Sequence, residues 1–210
     1  MAEEERLQSE NSAPEEEPEE HRIDPEVEAR RRVALSHVRV FGDPALRTKA
    51  APVRTFDDSL LTEVARMAAL MHDALGVGLA ATQLGVMHRL LVYRAGADAP
   101  LIAVVNPQLE WSSPELELAE EGCLSLPGVI VDVERPLHVR IGARDERGEP
   151  IVIEASGLEA RVLQHEIDHL DGVLILDRTV KEQRKEALRA LREGGSSRPA
   201  GEPQLEASPA

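Results

Sequence analysis

Aromatic side chains are nearly absent from this 210-residue chain, which has only Phe41, Phe56, Tyr93 and Trp111. A stacking platform for single strands or RNA bases therefore has almost nothing to be built from. Positive charge is scarce too, with 24 Lys and Arg against 39 Asp and Glu and a formal charge of -15. A primary DNA or RNA binder needs a clustered basic footprint to displace counterions, so that class is disfavoured. The single cysteine, Cys123, cannot close an internal disulfide. It fits a reducing compartment and is either a buried hydrophobe or a chemically active thiol. No apolar run approaches the length of a membrane span. The amino terminus has neither the apolar core of a signal peptide nor the acid-poor composition of a transit peptide. The expected location is the cytoplasm, with no membrane and no DNA partner.

Large apolar residues are also missing from both ends. Residues 1–20 hold nine Glu and one Arg, and the chain closes on GGSSRPAGEPQLEASPA. Neither composition buries enough surface to offset the entropy of ordering. The expected organisation is an acidic disordered extension over 1–31, one catalytic domain over 32–193, and a disordered Gly/Ser/Pro/Ala tail over 194–210. Most of the negative charge thus belongs to the ends and says little about a substrate.

Within the domain, Leu61, Val64, Met67, Met71 and Leu75 recur at helical spacing after Asp57, and Gly76 is placed to stop the helix. Short strands are expected at 89–95, 101–110, 115–121, 129–134, 137–144 and 150–155, the last two joined by the turn Asp145-Glu146-Arg147-Gly148. A second helix opens on Ser156-Gly157-Leu158-Glu159, a capping-box pattern, and runs to about Leu170 with Gly172 as its stop. A third, charged helix is expected over 180–193. Strands in succession without crossover helices indicate an α+β fold, with short, mostly antiparallel strands around a central helix and a further helix at the C-terminal end.

That central helix carries His165-Glu166-Ile167-Asp168-His169, an H-E-x-x-H pattern. Residues four apart share a helix face, so the two imidazoles can converge on one metal ion while Glu166 leans over a bound water. Chance alone gives this pattern roughly 0.03 times in a chain of this composition. A third ligand is required at a catalytic centre of this kind. Downstream, Glu182, Glu186 and Glu193 offer carboxylates, as in a metallopeptidase, but they sit on a helix that reads as a solvated, salt-bridged surface. Upstream, Cys123 lies in Glu121-Gly122-Cys123-Leu124-Ser125-Leu126-Pro127, where an alternating strand gives way to a turn. A third stretch, GVGLAATQ over 76–83, reads either as a small-residue packing turn after a helix or as a close approach to a ligand. In the second case Gln83 offers a carboxamide to a developing oxyanion.

GVGLAATQ (76–83), EGCLSLP (121–127) and QHEIDHLDG (164–172), in this order, resemble the three signature motifs of the peptide deformylases, over roughly residues 35–180. The resemblance implies hydrolysis of the formyl group from N-formylmethionyl nascent peptides. It implies one divalent ion, Fe(II) foremost, with zinc, nickel or cobalt also accommodated, held by Cys123, His165 and His169 with water in the fourth position. Glu166 would be the general acid and base, with Gln83 and the backbone N–H of Leu124 as oxyanion donors. Substrate would pair by its backbone with Gly76, Val77 and Gly78 on one side and Gly122 on the other, and the methionine side chain would meet Leu158, Val162 and Val77. The stem of Arg161 either lines that pocket with its guanidinium turned onto Glu121, or is an ordinary surface arginine. Asp168 and Asp171 fall off the histidine stripe and are expected on the helix surface or behind the ligands. Helix 180–193, with Lys181, Arg184, Lys185, Arg189 and Arg192, is a candidate for transient ribosome contact, but its Glu182, Glu186 and Glu193 favour a solvated amphipathic end over that contact. A non-enzymatic binding module of this fold would show degenerate positions, and none of Gln83, Cys123, His165, Glu166 or His169 departs from the motifs.

Overall fold

The computed structural model describes residues 24–96 and 99–199. Helix α1 (Pro25–Leu35) begins inside the stretch whose composition suggested disorder to residue 31. Local signals explain it: Asp24 caps the first turn by accepting from the Glu26 N–H, Pro25 stands at the first helical position, and Glu26, Glu28 and Arg32 match the helix dipole. Residues 1–23 and 200–210 lie outside the described part.

Helix α2 (Asp58–Asp73) is capped by Asp57 and buries Leu60, Val64, Met67 and Met71. Its apolar stripe thus starts at Leu60, and Leu61 and Leu75 are exposed. The stop also differs from expectation. The left-handed residue is Leu75 (φ 59°), and the Gly76 N–H reaches back to the Met71 carbonyl at 2.9 Å. A non-glycine residue in that region costs roughly 1–2 kcal/mol, and here it turns the Leu75 side chain outward.

Strands β1 (Gly78–Ala80), β2 (Leu90–Tyr93), β3 (Ile102–Ser112), β6 (His138–Arg144) and β7 (Pro150–Ser156) form one antiparallel sheet in the order β1-β2-β3-β6-β7. Alternation sets its two faces: Leu90 and Val92 pack with α2 residues Val64, Met67 and Met71. Leu91 and Tyr93 pack with Val162, Leu163, Ile167 and Leu170 of helix α3 (Gly157–Leu170). Both faces are covered, so the central strands are buried on each side. At the start of α3 the capping box does not form. Ser156 makes no cap bond, its hydroxyl lies 2.8 Å from His138 Nδ1, and Glu159 accepts from the Tyr93 hydroxyl at 2.8 Å. Gly172 does follow the helix in left-handed backbone (φ 74°).

Strands β4 (Leu116–Cys123) and β5 (Leu126–Pro136) form a separate hairpin. β4 alternates, but Leu116 and Leu118 face outward, because the inner face carries Glu117, Glu121 and Cys123, whose partners are arginines and histidine. Val129, Val131 and Val133 of β5 pack on Leu174, Ile175, Leu176 and Ala187, tying the hairpin to helix α4 (Lys181–Glu193). After α4 the chain reverses at Gly194 and returns to β5. Ser197 donates to the Gly128 carbonyl at 2.9 Å and accepts from the Ile130 N–H at 2.8 Å. The start of the supposed disordered tail is therefore paired along a strand edge, which satisfies backbone groups that an open edge would leave bare. Among the described residues no helix is long and apolar enough to cross a membrane.

Candidate metal centre and active-site cleft

Helical spacing stacks the His165 and His169 rings with centroids 5.0 Å apart, and the β4–β5 turn brings Cys123 to them. The Cys123 sulfur lies 3.2 Å from His169 Nε2, and one donor atom from each of the three residues falls within 4.8 Å of the others. His165 Nδ1 is 3.0 Å from Glu121 Oε2, a bond that fixes the ring and leaves Nε2 to point inward. A thiolate and two imidazoles converging at this distance fit a single divalent ion of the zinc or iron type. Glu182, Glu186 and Glu193 are not part of this group, and Glu193 instead pairs with Arg189 along α4.

Glu166 lies beside the donors, fully enclosed, and its Oε2 has no hydrogen-bond partner. Burial pushes its carboxyl up to about 7, against the pull of the neighbouring His165 charge. The room for it is made by Gly78, since a Cβ there would stand 2.8 Å from the Glu166 Cγ and Cδ. Burial drives His169 well below its ordinary value. Burial acts on His165 in the same sense but is outweighed by the bonds to Cys123 and Glu121, which raise it.

Glu121 is the hub behind these three donors. It accepts from Arg135 at 2.6 and 2.9 Å and from Arg161 at 2.8 Å, in addition to His165. Burial disfavours its charge, yet the hydrogen bonds from His165 and Arg135 prevail and hold its carboxyl at about 2. Arg161 is buried rather than on the surface, its guanidinium is turned onto Glu121 and also donates to the carbonyls of Val133 and Glu117, and it borders the cleft described below. Asp168 is buried rather than on the surface, accepting from Arg135 at 2.9 Å and from Arg178. Asp171 accepts from Arg89 at 2.8 Å. Arg135 was missed by sequence reasoning although a signal existed: it continues the inward series Val129, Val131, Val133 at period two, and a charge on a buried strand face requires partners.

Gln83 is buried, with its Oε1 accepting from the Ala80 N–H at 2.9 Å. Its Nε2 is thereby aimed at Ser125 Oγ, 3.2 Å away, and at the Cys123 sulfur, 3.8 Å away. Leu124 occupies the turn just after the thiol, and the next residue, Ser125, donates its N–H to that sulfur at 3.4 Å. A cleft of about 860 Å³ opens over the site. Gly76, Val77 and Gly78 line one wall and Gly122 and Leu124 the other, with Leu158 and Val162 among the residues of α3 that also border it. Val162 is buried, whereas Val77 and Leu158 are 50% and 59% exposed at the mouth. Leu75, Val129 and Ile130 also line the cleft and were not foreseen.

An α+β chain that converges Cys, His and His beside a buried, partnerless carboxylate at the foot of a cleft is a metal-dependent hydrolase. Its relatives define it more narrowly. A family model for polypeptide deformylase matches residues 35–185. A peptide deformylase of Parafrankia sp. is 46% identical over 161 residues, covering 77% of this chain and 87% of that protein. One from Thermotoga neapolitana is 49% identical over 144 residues, covering 69% and 87%. A crystal structure of a Synechococcus elongatus peptide deformylase in complex with actinonin superposes with a TM-score of 0.71 at 40% identity, covering 78% of this chain and 91% of that one. The chain belongs to the polypeptide deformylase family. Its reaction is the hydrolytic removal of the formyl group from N-formylmethionyl peptides.

Proposed function

We propose that the chain deformylates nascent peptides with one divalent ion held by Cys123, His165 and His169, and with Glu166 as the group that moves the proton. The observation that carries this reading is the convergence of the three donors beside the enclosed, partnerless oxygen of Glu166. When bound, the ion supplies Lewis acidity and makes hydroxide accessible near neutral pH. Fe(II) is the ion the family resemblance favours, with zinc, nickel and cobalt compatible with the same donors. Glu166 accepts a proton from the attacking water at Oε2, a task suited to a carboxyl whose burial raises it above its ordinary value. The water oxygen bonds to the formyl carbon, the carbon–nitrogen bond breaks, and the same carboxyl returns the proton to the departing amine as formate forms. Gln83 Nε2, held by the Ala80 bond, and the Leu124 N–H serve as donors to the developing oxyanion. Removing one such donor typically costs about two to three powers of ten in rate.

Recognition is led by the backbone, with an extended peptide adding to the edges at Gly76–Gly78 and Gly122. The methionine side chain enters between Val162, Leu158 and Val77, and the stem of Arg161 walls that pocket while its charge is neutralised by Glu121. The helix bearing H-E-x-x-H is the centre of a catalytic domain that takes in α1 and the strand-paired residues after α4 as well as residues 32–193, working in the cytoplasm. The exposed Lys185 and Arg192 of α4 make transient contact with the ribosome. Unchanged co-sedimentation of a Lys185→Glu, Arg192→Glu variant would remove that contact from the account. The main test is anaerobic purification with Fe(II) and measurement of formate from a short formyl-Met peptide. Formate at a rate that collapses in Glu166→Gln is expected, and a fully metallated protein that releases none overturns the reading.

A further inference from the structure

Two segments outside the family-matched residues 35–185 reach the same cleft. From α1 comes Arg31, one turn before Leu35 and on the same helix face, and both border the cleft. From beyond α4 come Ser196, Ser197 and Arg198. Ser197 uses the Gly128 carbonyl and the Ile130 N–H, so that edge of β5 is not available to a substrate. A peptide in the cleft is left with the edges at Gly76–Gly78 and Gly122. The volume of about 860 Å³ lies toward the upper end of the range for small-ligand sites, so it holds residues beyond the formylmethionine.

The charges along this cleft are nearly all matched within the protein. Glu120 pairs with Arg198 through bonds of 2.8 and 3.1 Å, and Glu121 answers Arg135, Arg161 and His165. Glu166 is reserved for the chemistry. Arg31 is different: its Nε is buried with no hydrogen-bond partner, and its guanidinium has no ion pair among the described residues. A guanidinium is a fork of donors that a carboxylate matches in bidentate fashion.

We infer that Arg31 is a specificity-determining residue, selecting formyl-Met peptides that carry an acidic side chain shortly after the methionine. This rests on the deformylase reading of the site and adds a substrate preference to it. The chain holds a second source of carboxylates, the Glu-rich residues 1–20, and the test separates the two.

The test uses the full-length, metal-loaded protein and formyl-Met tetrapeptides with Glu, Gln or Lys at the second or third position, read as kcat/KM for formate release. The expected Glu-to-Gln ratio is about fivefold at one of the two positions, between the values for an exposed ion pair and an enclosed charge-assisted bond. That ratio falls toward one in Arg31→Gln, stays partly in Arg31→Lys, and shrinks in the unmodified protein as salt is raised. A ratio that is the same in Arg31→Gln as in the original overturns the inference, as does a ratio near one throughout. A preference that emerges only after residues 1–23 are removed assigns Arg31 to the chain's own acidic segment and also overturns it. Formate from the Gln peptide without a Glu preference defeats this inference alone, whereas no formate from any peptide defeats the deformylase reading.

Discussion

Replacing Gly78 by Ala, alone and together with Glu166→Ala, tests the placement of Glu166. The new Cβ would stand 2.8 Å from the Glu166 Cγ and Cδ, against an optimal carbon–carbon separation of about 3.5–4.0 Å. One of the two must move by roughly 1 Å, and the Glu166 carboxylate, the far end of a flexible side chain that borders the cleft, is the part that gives. Backbone strain is not the issue, because Gly78 lies in β1, paired with Tyr93, where alanine is conformationally acceptable. A misplacement of about 1 Å costs on the order of 10²-fold in rate, and full loss of a general base about 10²–10⁴-fold. We expect kcat for formate release to fall about 10²-fold, equivalent to about 2.7 kcal/mol of barrier, with the overpacking itself destabilising the fold by about 1–3 kcal/mol. Metal content, measured by elemental analysis, should stay at that of the unaltered protein because Cys123, His165 and His169 are untouched. The decisive arm is a cycle with Glu166→Ala: once the carboxylate is gone, Gly78→Ala should cost less than about threefold more. A single variant that keeps a third of the original kcat, or an equal loss in both backgrounds, refutes the steric argument.

Further expectations address the metal, the pocket and acid stability. Cys123→Ser should lower the bound metal and activity together, and treatment with a chelator followed by Fe(II) should abolish and restore turnover of the original protein. Full metal binding by Cys123→Ser would remove the thiolate from the donor set. Val162→Ala should enlarge the methionine pocket and move the formyl-Met to formyl-Phe preference by about tenfold, the scale of a methylene change in an apolar site, and an unchanged preference removes Val162 from it. Burial of Asp177 raises its carboxyl, but the bond from Arg47, the Leu174 N–H and the charge of Arg184 prevail and lower it. A lowered folded value stabilises the protein above the unfolded value of about 3.9 and is lost as pH falls through the folded one. Asp177→Asn should therefore melt lower than the original at pH 6, with the gap closing as pH falls below the ordinary carboxylate value. A gap independent of pH contradicts the assignment.

What could be read in the sequence followed how local the cause was. The pair His165 and His169 needed only helical spacing, and the turn at Asp145–Gly148 only its residues, which the Asp145 carboxylate holds through the Arg147 and Glu149 N–H groups. Cys123 was different, because nothing within EGCLS says that a hairpin will lie against a helix some forty residues later; the motif resemblance supplied that. The stop of α2 was misplaced by one residue because Leu75, not Gly76, takes the left-handed position. Leu116 and Leu118 followed the alternation of β4, yet its inner face went to charged residues because the arginines of α3 and β5 were waiting there. The helix at Pro25 was hidden by the acidic run before it. The pairing of Ser197 with β5 has no local signature, since it depends on where α4 ends.

The three converging donors, Cys123, His165 and His169, come from two separate pieces of structure, the tip of the β4–β5 hairpin and α3. A bound ion would thus be a removable cross-link that closes a loop of more than forty residues, reinforcing the bonds of Glu121 to His165 and Arg161 and of Arg135 to Asp168 that already bridge the same pieces. Each tenfold increase of free ion above its dissociation constant adds about 1.4 kcal/mol to folding. A cell short of the metal would then lose the enzyme twice, once as chemistry and once as folded protein exposed to proteolysis at the hairpin.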